Sequence, residues 1–298
     1  MMSSLMPAVR IHCWGGFGSQ LFAILQYWNL QRRFPGRKLV LIIHTSGVTR
    51  RDIEIESLLR NIPFKVVDDF KGQRGSTTEQ LKSSSKIEVI KAKLYVLPKV
   101  LMKTTGLLSN LENTKAYDSI KPWLLTVRGH YTRYPFSSAD LIKLYEVISS
   151  IDSEDLGGES MVDVLTIQYR LGDLLNLPEK GFVDPKLLSD IANSIADKFY
   201  ISKTILLTDS PAEAMQLLDT VNRNWQVANL SPISTIKICV YSSEFIGTNS
   251  KISFWIAVFR ALLNKESHIT EVFQEKLQIL TNQLQSSRFI FHTDKTKL

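Results

Sequence analysis

Apolar residues fall in short continuous runs along the chain, not in an alternating or heptad pattern. Residues 8–14 (AVRIHCW) and 38–44 (KLVLIIH) are two such runs. Runs of this length predict strands buried on both faces. Between them, Gly15-Gly16-Phe17-Gly18 predicts a tight turn. From about residue 19 to 33, Leu21, Phe22, Leu25 and Trp28 recur near helical spacing until Pro35-Gly36 ends the pattern. Strand, helix and strand over this length form a βαβ unit, which predicts a parallel sheet.

The same alternation continues less regularly. Residues 53–60 predict a short helix and 64–67 a short strand. Residues 71–86 are polar and serine-rich, as expected of a surface loop. Residues 124–128 predict a strand, and 137–148 a helix begun by serine caps. Residues 149–160 (SSIDSEDLGGES) are small, acidic and glycine-containing, the composition of a linker. Beyond it, strands are predicted at 162–169, 204–208 and 236–241, and the run 289–292 closes the pattern. Helices are predicted at 184–199, with Pro185 in the first turn, and at 211–221, 250–263 and 269–284. There is no internal repeat. The expected architecture is α/β, with two Rossmann-like domains (1–152 and 153–298) facing a cleft and ligands at the C-terminal ends of the strands.

Composition narrows the function classes. The 298 residues carry 36 Lys and Arg against 29 Asp and Glu, a net charge of +7, which suits phosphorylated or polyanionic partners. The charge is dispersed, and no zinc-finger or RNP-type motif occurs, so nucleic acid is not an expected partner. Cys13 and Cys239 lie far apart in apolar runs and are expected to be buried free thiols. Five histidines without HxxxH or HExxH spacing argue against a protein-held metal. No apolar run reaches the ~18 residues that span a bilayer, and residues 1–14 lack the pattern of a signal peptide. A cytoplasmic location follows as an expectation. The run 86–103 sets Lys86, Lys91, Lys93, Lys99 and Lys103 against Glu88. It reads either as a solvated face or as peripheral contact with an anionic membrane surface.

Four segments at predicted strand ends carry candidate chemistry. In Gly15-Gly16-Phe17-Gly18-Ser19-Gln20, glycines allow close backbone approach and the following helix offers N–H groups, although a plain βα turn needs the same residues. In Tyr169-Arg170-Leu171-Gly172-Asp173, the Arg170 fork is suited to two phosphate oxygens; an Arg170–Asp173 ion pair is the structural alternative, and Asp173 can serve both by orienting Arg170. In Thr208-Asp209-Ser210, Asp209 is either a nucleoside contact or a helix cap. In residues 246–255 (IGTNSKISFW), Asn249, Ser250, Lys251 and Ser253 surround a helix start, which either cradles a phosphate or is simply capped.

Taken in order, these segments resemble glycosyltransferase family 11, the α-1,2-fucosyltransferases, and more broadly the fucosyltransferase superfamily. The GGLGNQ-type motif resembles residues 15–20, HxRRGD resembles 168–173, the S/T-D-D/S strand end resembles 208–210, and NSTFSWW resembles 249–255. Arg128-Gly129-His130-Tyr131 more weakly resembles the DGYWQ segment. The matches span residues 11 to about 260. The resemblance implies a GT-B-like fold, an inverting mechanism, GDP-fucose as donor, and no cofactor or essential metal. It makes Arg170 the catalytic pyrophosphate clamp. The donor contacts it implies are Gly16, Phe17, Gly18, Ser19, Gln20, Asp173, Asp209, Asn249, Ser250, Lys251, Ser253 and Phe254.

The acceptor implied is a glycan, free or lipid-linked, with α-1,2 transfer in O-antigen-type surface polysaccharide synthesis. Its site is expected among loops of residues 70–135, in the acceptor-side domain, opposite the donor-binding 153–298. Three positions depart from the pattern: Gln168 stands for the family His, Leu171 for its second Arg, and Ser19 for the Asn of the glycine loop. They leave room for another GDP-deoxysugar such as GDP-colitose, or for an inactive nucleotide- or glycan-binding relative. His12, His130 and Asp184 are general-base candidates by residue type.

Overall fold

The structure is a computed structural model. It describes residues 6–45, 55–59, 61–67, 101–110, 120–132, 136–152, 161–176, 182–219, 221, 225–270, 276–277 and 288–292. The chain divides into two compact units, Met1–Phe136 and Ser137–Leu298. Each is built on an all-parallel sheet, so the α/β class expected from the sequence is observed. The second unit starts ahead of the expected linker because helix Ser138–Ser149 packs into it: Leu141, Leu144 and Ile148 are buried, and the Tyr145 ring meets Phe259 at 5.7 Å. Within the proposed linker, residues 153–160 lie outside the described residues.

In the first unit the strands are β1 (Val9–Cys13), β2 (Leu39–His44), β3 (Phe64–Val67), β4 (Leu108–Asn110) and β5 (Thr126–Arg128), ordered β3-β2-β1-β5-β4. Val9, Ile11 and Cys13 are buried while Arg10 and His12 face the other side of β1. Helix α1 (Phe17–Arg33) begins two residues before its expected start, so Phe17 and Gly18 belong to its first turn. Gly15, at φ +94°, makes the reversal that links β1 to it. Almost every face of α1 is buried, including Gln26, which is 0% exposed with neither amide atom hydrogen-bonded among the described residues. The helix expected at 53–60 is a 3₁₀ turn at Glu56–Leu58. The 71–86 loop and most of the basic run 86–103 lie outside the described residues.

In the second unit α2 is Ser138–Ser149, followed by β6 (Val164–Tyr169), α3 (Pro185–Phe199), β7 (Lys203–Thr208), α4 (Pro211–Asp219) and β8 (Gln226–Ala228). Then come α5 (Pro232–Tyr241), β9 (Glu244–Gly247), α6 (Lys251–Leu262), β10 (Ser267–Thr270) and β11 (Phe289–His292). The strand order is β11-β10-β9-β6-β7-β8. β6 is buried at every residue, as a central parallel strand should be. Caps set the helix starts: Ser137 Oγ accepts from Asp140 N at 3.2 Å, and Asp184 Oδ1 from Lys186 N at 2.7 Å.

Two predicted elements are corrected. Residues 236–241 form the end of α5, not a strand. Ser231 caps that helix and Pro232 occupies its first turn, while Ile236, Ile238, Cys239 and Val240 are all buried, which erases helical periodicity from the sequence. The helix expected from 269 is preceded by β10, so its first two positions belong to a strand; Lys276 and Leu277 are helical and most of the remainder lies outside the described residues. Strands β4, β8, β9 and β10 were not anticipated, because three or four residues are too few to carry a periodic signal.

Arg260, 0% exposed, ties the second unit together. Its guanidinium donates to the carbonyls of Cys239 (2.9 Å), Ser242 (2.8 Å), Ser243 (2.9 Å) and Glu266 (2.9 Å). It thereby satisfies the end of α5 and the approaches to β9 and β10 at once. Cys13 and Cys239 are buried free thiols, as expected, and burial pushes the Cys239 thiol up to about 12. No helix among the described residues is long and apolar enough to cross a membrane.

Two expectations follow. Gln26→Met replaces an unbonded buried amide by an apolar group of similar shape; it should raise unfolding free energy by about 1–2 kcal/mol in denaturant melts. The second concerns His268, whose Nδ1 meets His292 Nε2 at 2.9 Å. Glu244 lies 3.9 Å from His268 Nε2, too long for a hydrogen bond, and burial favours neutrality in both: Glu244 is pushed up, His268 down to about 4. The unfolded chain therefore protonates His268 at a pH where the folded chain does not. Its contribution to stability should be complete above about pH 6.5 and lost as pH falls towards about 4, on the order of 3 kcal/mol in all. His292, also lowered by burial, adds to the fall, and Glu244 opposes it. His268→Gln should flatten the acid limb of a stability–pH profile.

Candidate functional site

Parallel register fixes where the second unit's candidate residues stand. Tyr169 pairs with Thr208 and Gln168 with Gly247, so Arg170, Asp209 and Thr248 each lie one residue beyond the C-terminal ends of β6, β7 and β9. Three segments far apart in sequence thus meet at one sheet edge, the edge at which open α/β sheets bind ligands.

Thr248 joins them. Its hydroxyl donates to the Gln168 carbonyl at 2.8 Å and accepts from Arg170 N at 3.1 Å. Its own N–H donates to Ser253 Oγ at 3.1 Å, and Ser253 Oγ donates to Gln168 Oε1 at 2.5 Å. Gly247 lets α6 approach this closely, since a Cβ there would lie 2.9 Å from Ser253 Cβ. On the other flank, Asp209 Oδ1 accepts from Leu171 N at 3.1 Å, and a Cβ on Gly172 (φ +24°) would overlap the Asp209 carboxylate. The carboxylate fastens the turn that carries Arg170, and Asp209 itself is exposed.

The helix start is capped. Ser250 Oγ accepts from Ile252 N (3.0 Å) and Ser253 N (3.2 Å). Ser253 is buried and its one proton is given to Gln168, so it positions the edge and has no donor left for a ligand. Phe254 is 1% exposed, edge-on to Trp255 at 5.1 Å, and belongs to the core. Leu171 is likewise in the core. Partly exposed at the edge are Arg170, Asn249 and Lys251, and the Asp173 backbone lies in the 3₁₀ turn Gly172–Asn176. Gln168 Nε2 makes no hydrogen bond among the described residues, which leaves an amide donor beside Arg170. Below the edge, burial and the nearby Asp184 carboxylate push the Tyr169 phenol up, and its hydroxyl donates to Val183 O at 2.8 Å.

The first unit has its own C-terminal edge. Gly16 has open space over its Cα, while Phe17, Gly18, Ser19 and Gln20 are buried in the first turn of α1. Gln20 Nε2 donates to Gly15 O at 3.3 Å and its Oε1 is unbonded. The α1 N-terminus has no side-chain cap, so its dipole is unopposed there. Nearby, His12 Nδ1 and His44 Nε2 lie 2.7 Å apart, a distance that needs one N–H and one lone pair. Trp14 stacks on His44 at 4.4 Å, and the Arg128 guanidinium lies 5.8 Å from the Trp14 ring. Tyr131 is buried and its hydroxyl donates to His12 O. Of the general-base candidates, Asp184 is committed to capping α3, His130 is exposed, and His12 belongs to this imidazole pair.

Sequence reasoning missed Thr248, His44 and the stack with Trp14. Thr248 sits inside a named segment, but any small polar residue suits that pattern. His44 is brought to Trp14 only by β1–β2 register. Among the described residues, no group of three or more His, Cys, Asp or Glu is arranged to hold a metal ion.

No protein-family model matches the sequence, and no curated protein does. Solved structures resemble the fold at low score. The glycosyl transferase family 9 protein from Veillonella parvula is 12% identical over 89% of this chain and 81% of its own, with a TM-score of 0.42. E. coli heptosyltransferase WaaC with ADP is 10% identical over 96% and 93%, TM-score 0.44. POFUT1 in complex with GDP-fucose is 10% identical over 96% and 98%, TM-score 0.40. At this level the architecture rests on the chain's own sheet topology.

Thr248→Val keeps the volume but leaves Arg170 N–H unpaired and weakens the hold on Gln168 O. Denaturant unfolding should show a loss of about 1–3 kcal/mol, and Thr248→Ser should restore most of it.

Proposed function

We propose that the chain is an inverting glycosyltransferase that moves L-fucose from GDP-fucose to a glycan hydroxyl, in α-1,2 linkage. The single observation that carries this reading is the convergence of Arg170, Gln168 Nε2 and the α6 start on one sheet edge. A cationic fork, an amide donor and a helix N-terminus together suit a diphosphate. As the acceptor oxygen bonds to the anomeric carbon and the sugar–phosphate bond breaks, negative charge grows on the leaving diphosphate. Arg170 and Lys251 would stabilise it there. The Ser250 hydroxyl, an acceptor towards the helix, can still donate its proton to a phosphate oxygen.

The acceptor proton needs a base, and an imidazole is the side chain suited to that role near neutral pH. Leu171 faces the core, so in this backbone the clamp is built on one arginine, with Gln168 as its companion. GDP-colitose remains the alternative donor, since nothing in the clamp reads the sugar. An O-antigen-type acceptor and peripheral membrane attachment at the cytoplasmic face belong to the same reading.

Calorimetry with GDP, UDP and ADP, each with and without EDTA, tests the donor: GDP should bind best and EDTA should not matter. Transfer from GDP-fucose across a glycan array tests the reaction, and binding without transfer to any acceptor would favour the inactive relative. Arg170→Ala should lower turnover by about 10²–10³-fold while the fold survives; unchanged turnover would remove Arg170 from the mechanism.

A further inference from the structure

The sheet face of the first unit that carries Arg10 and His12 holds a cavity of about 280 Å³. Val40 and Ile42 form its floor, Pro7 and Met102 part of its wall, and Arg10 and Lys65 are its two charged residues. Register places the cations diagonally: Arg10 pairs with Val40 and Lys65 with Ile42, so one flanks the floor from β1 and the other from β3. Strands two apart are about 10 Å apart, a gap that long Arg and Lys side chains close from both sides onto a single anion. Among the described residues neither cation has an ion-pair or hydrogen-bond partner, and both are exposed at the cavity mouth. Met6 and Leu101, the chain neighbours of the lining residues Pro7 and Met102, are apolar and 44% and 64% exposed.

An apolar floor between two cations without a partner among the described residues is complementary to an apolar chain ending in an anion. We propose that this cavity binds an anionic amphiphile, a phosphate carried on a long apolar chain, as the lipid-linked form of the glycan acceptor. The chain would lie over Val40 and Ile42, and the phosphate would sit between Arg10 and Lys65. Successive same-face residues of a strand are about 7 Å apart. Arg10 is one such step from His12 on the same face, and Lys65 is level with His12 through Ile42. This assignment to an acceptor rests on the glycosyltransferase reading; the binding site itself does not.

The test is calorimetry of the full chain with dodecyl phosphate below its micelle concentration, beside dodecanol and inorganic phosphate. Dodecyl phosphate should bind at least about tenfold more tightly than either part alone, because chain and anion each contribute. Arg10→Gln/Lys65→Gln should lower that affinity about tenfold or more and remove its salt dependence. Val40→Glu, which places a carboxylate on the floor, should abolish binding. Equal affinity for inorganic phosphate would mean a free-phosphate site, and equal affinity for dodecanol, or no effect of the double variant, would mean an unspecific apolar surface; either result overturns the proposal. GDP binding measured on the same variants should be unchanged, which controls for folding. Wild-type protein that binds dodecyl phosphate but not GDP would sink the glycosyltransferase reading and leave this site standing.

Discussion

The second unit's candidate site depends on one hydroxyl. At the ends of β6 and β9 the ladder closes with Thr248 N donating to Gln168 O at 3.3 Å, and the Thr248 side chain extends it, bonding Gln168 O and Arg170 N on the neighbouring strand. A strand end would otherwise fray into solvent. Here the backbone at Arg170 is held from one side by Thr248 and from the other by Asp209 through Leu171 N. The backbone that carries the Arg170 side chain is thus fixed before any ligand arrives, which lowers the entropy lost on binding.

Most polar side chains at that edge are therefore spent on the protein. Asp209, Ser253 and Ser250 all bond backbone or side-chain partners close by, and Ser253 has no proton left over. Arg170, Lys251 and the Gln168 amide are the groups whose donors have the chemistry for an anion, and each stands on a part of the edge that the committed residues fix.

The two units balance polar burial differently. Arg260 is fully buried, yet its donors meet four carbonyls that the ends of α5, β9 and β10 would leave unsatisfied, and so a charge in the core becomes a joint between elements. Gln26 in α1 has no such partner and stands as a local cost within an otherwise apolar interior. The first sheet also keeps two cations beside an apolar cavity, an arrangement that favours an anionic ligand over bare packing.

What the sequence alone determined was the class of fold and the candidate edge of the second unit. Apolar runs of β1, β2, β6 and β7, separated by helices, require a parallel sheet, and residues just after such strands must lie at its C-terminal edge. Caps at Ser137 and Ser250 are legible because they are local. The tertiary structure decided what is not local. α5 is helical because a Ser231 cap and burial on all sides outweigh a β-branched sequence. The unit boundary precedes the acidic segment because Tyr145 reaches Phe259. Ser253 and Phe254 face the protein because side-chain direction follows from packing, and only sheet register brings His44 to Trp14 or sets Arg10 and Lys65 diagonally across Val40 and Ile42.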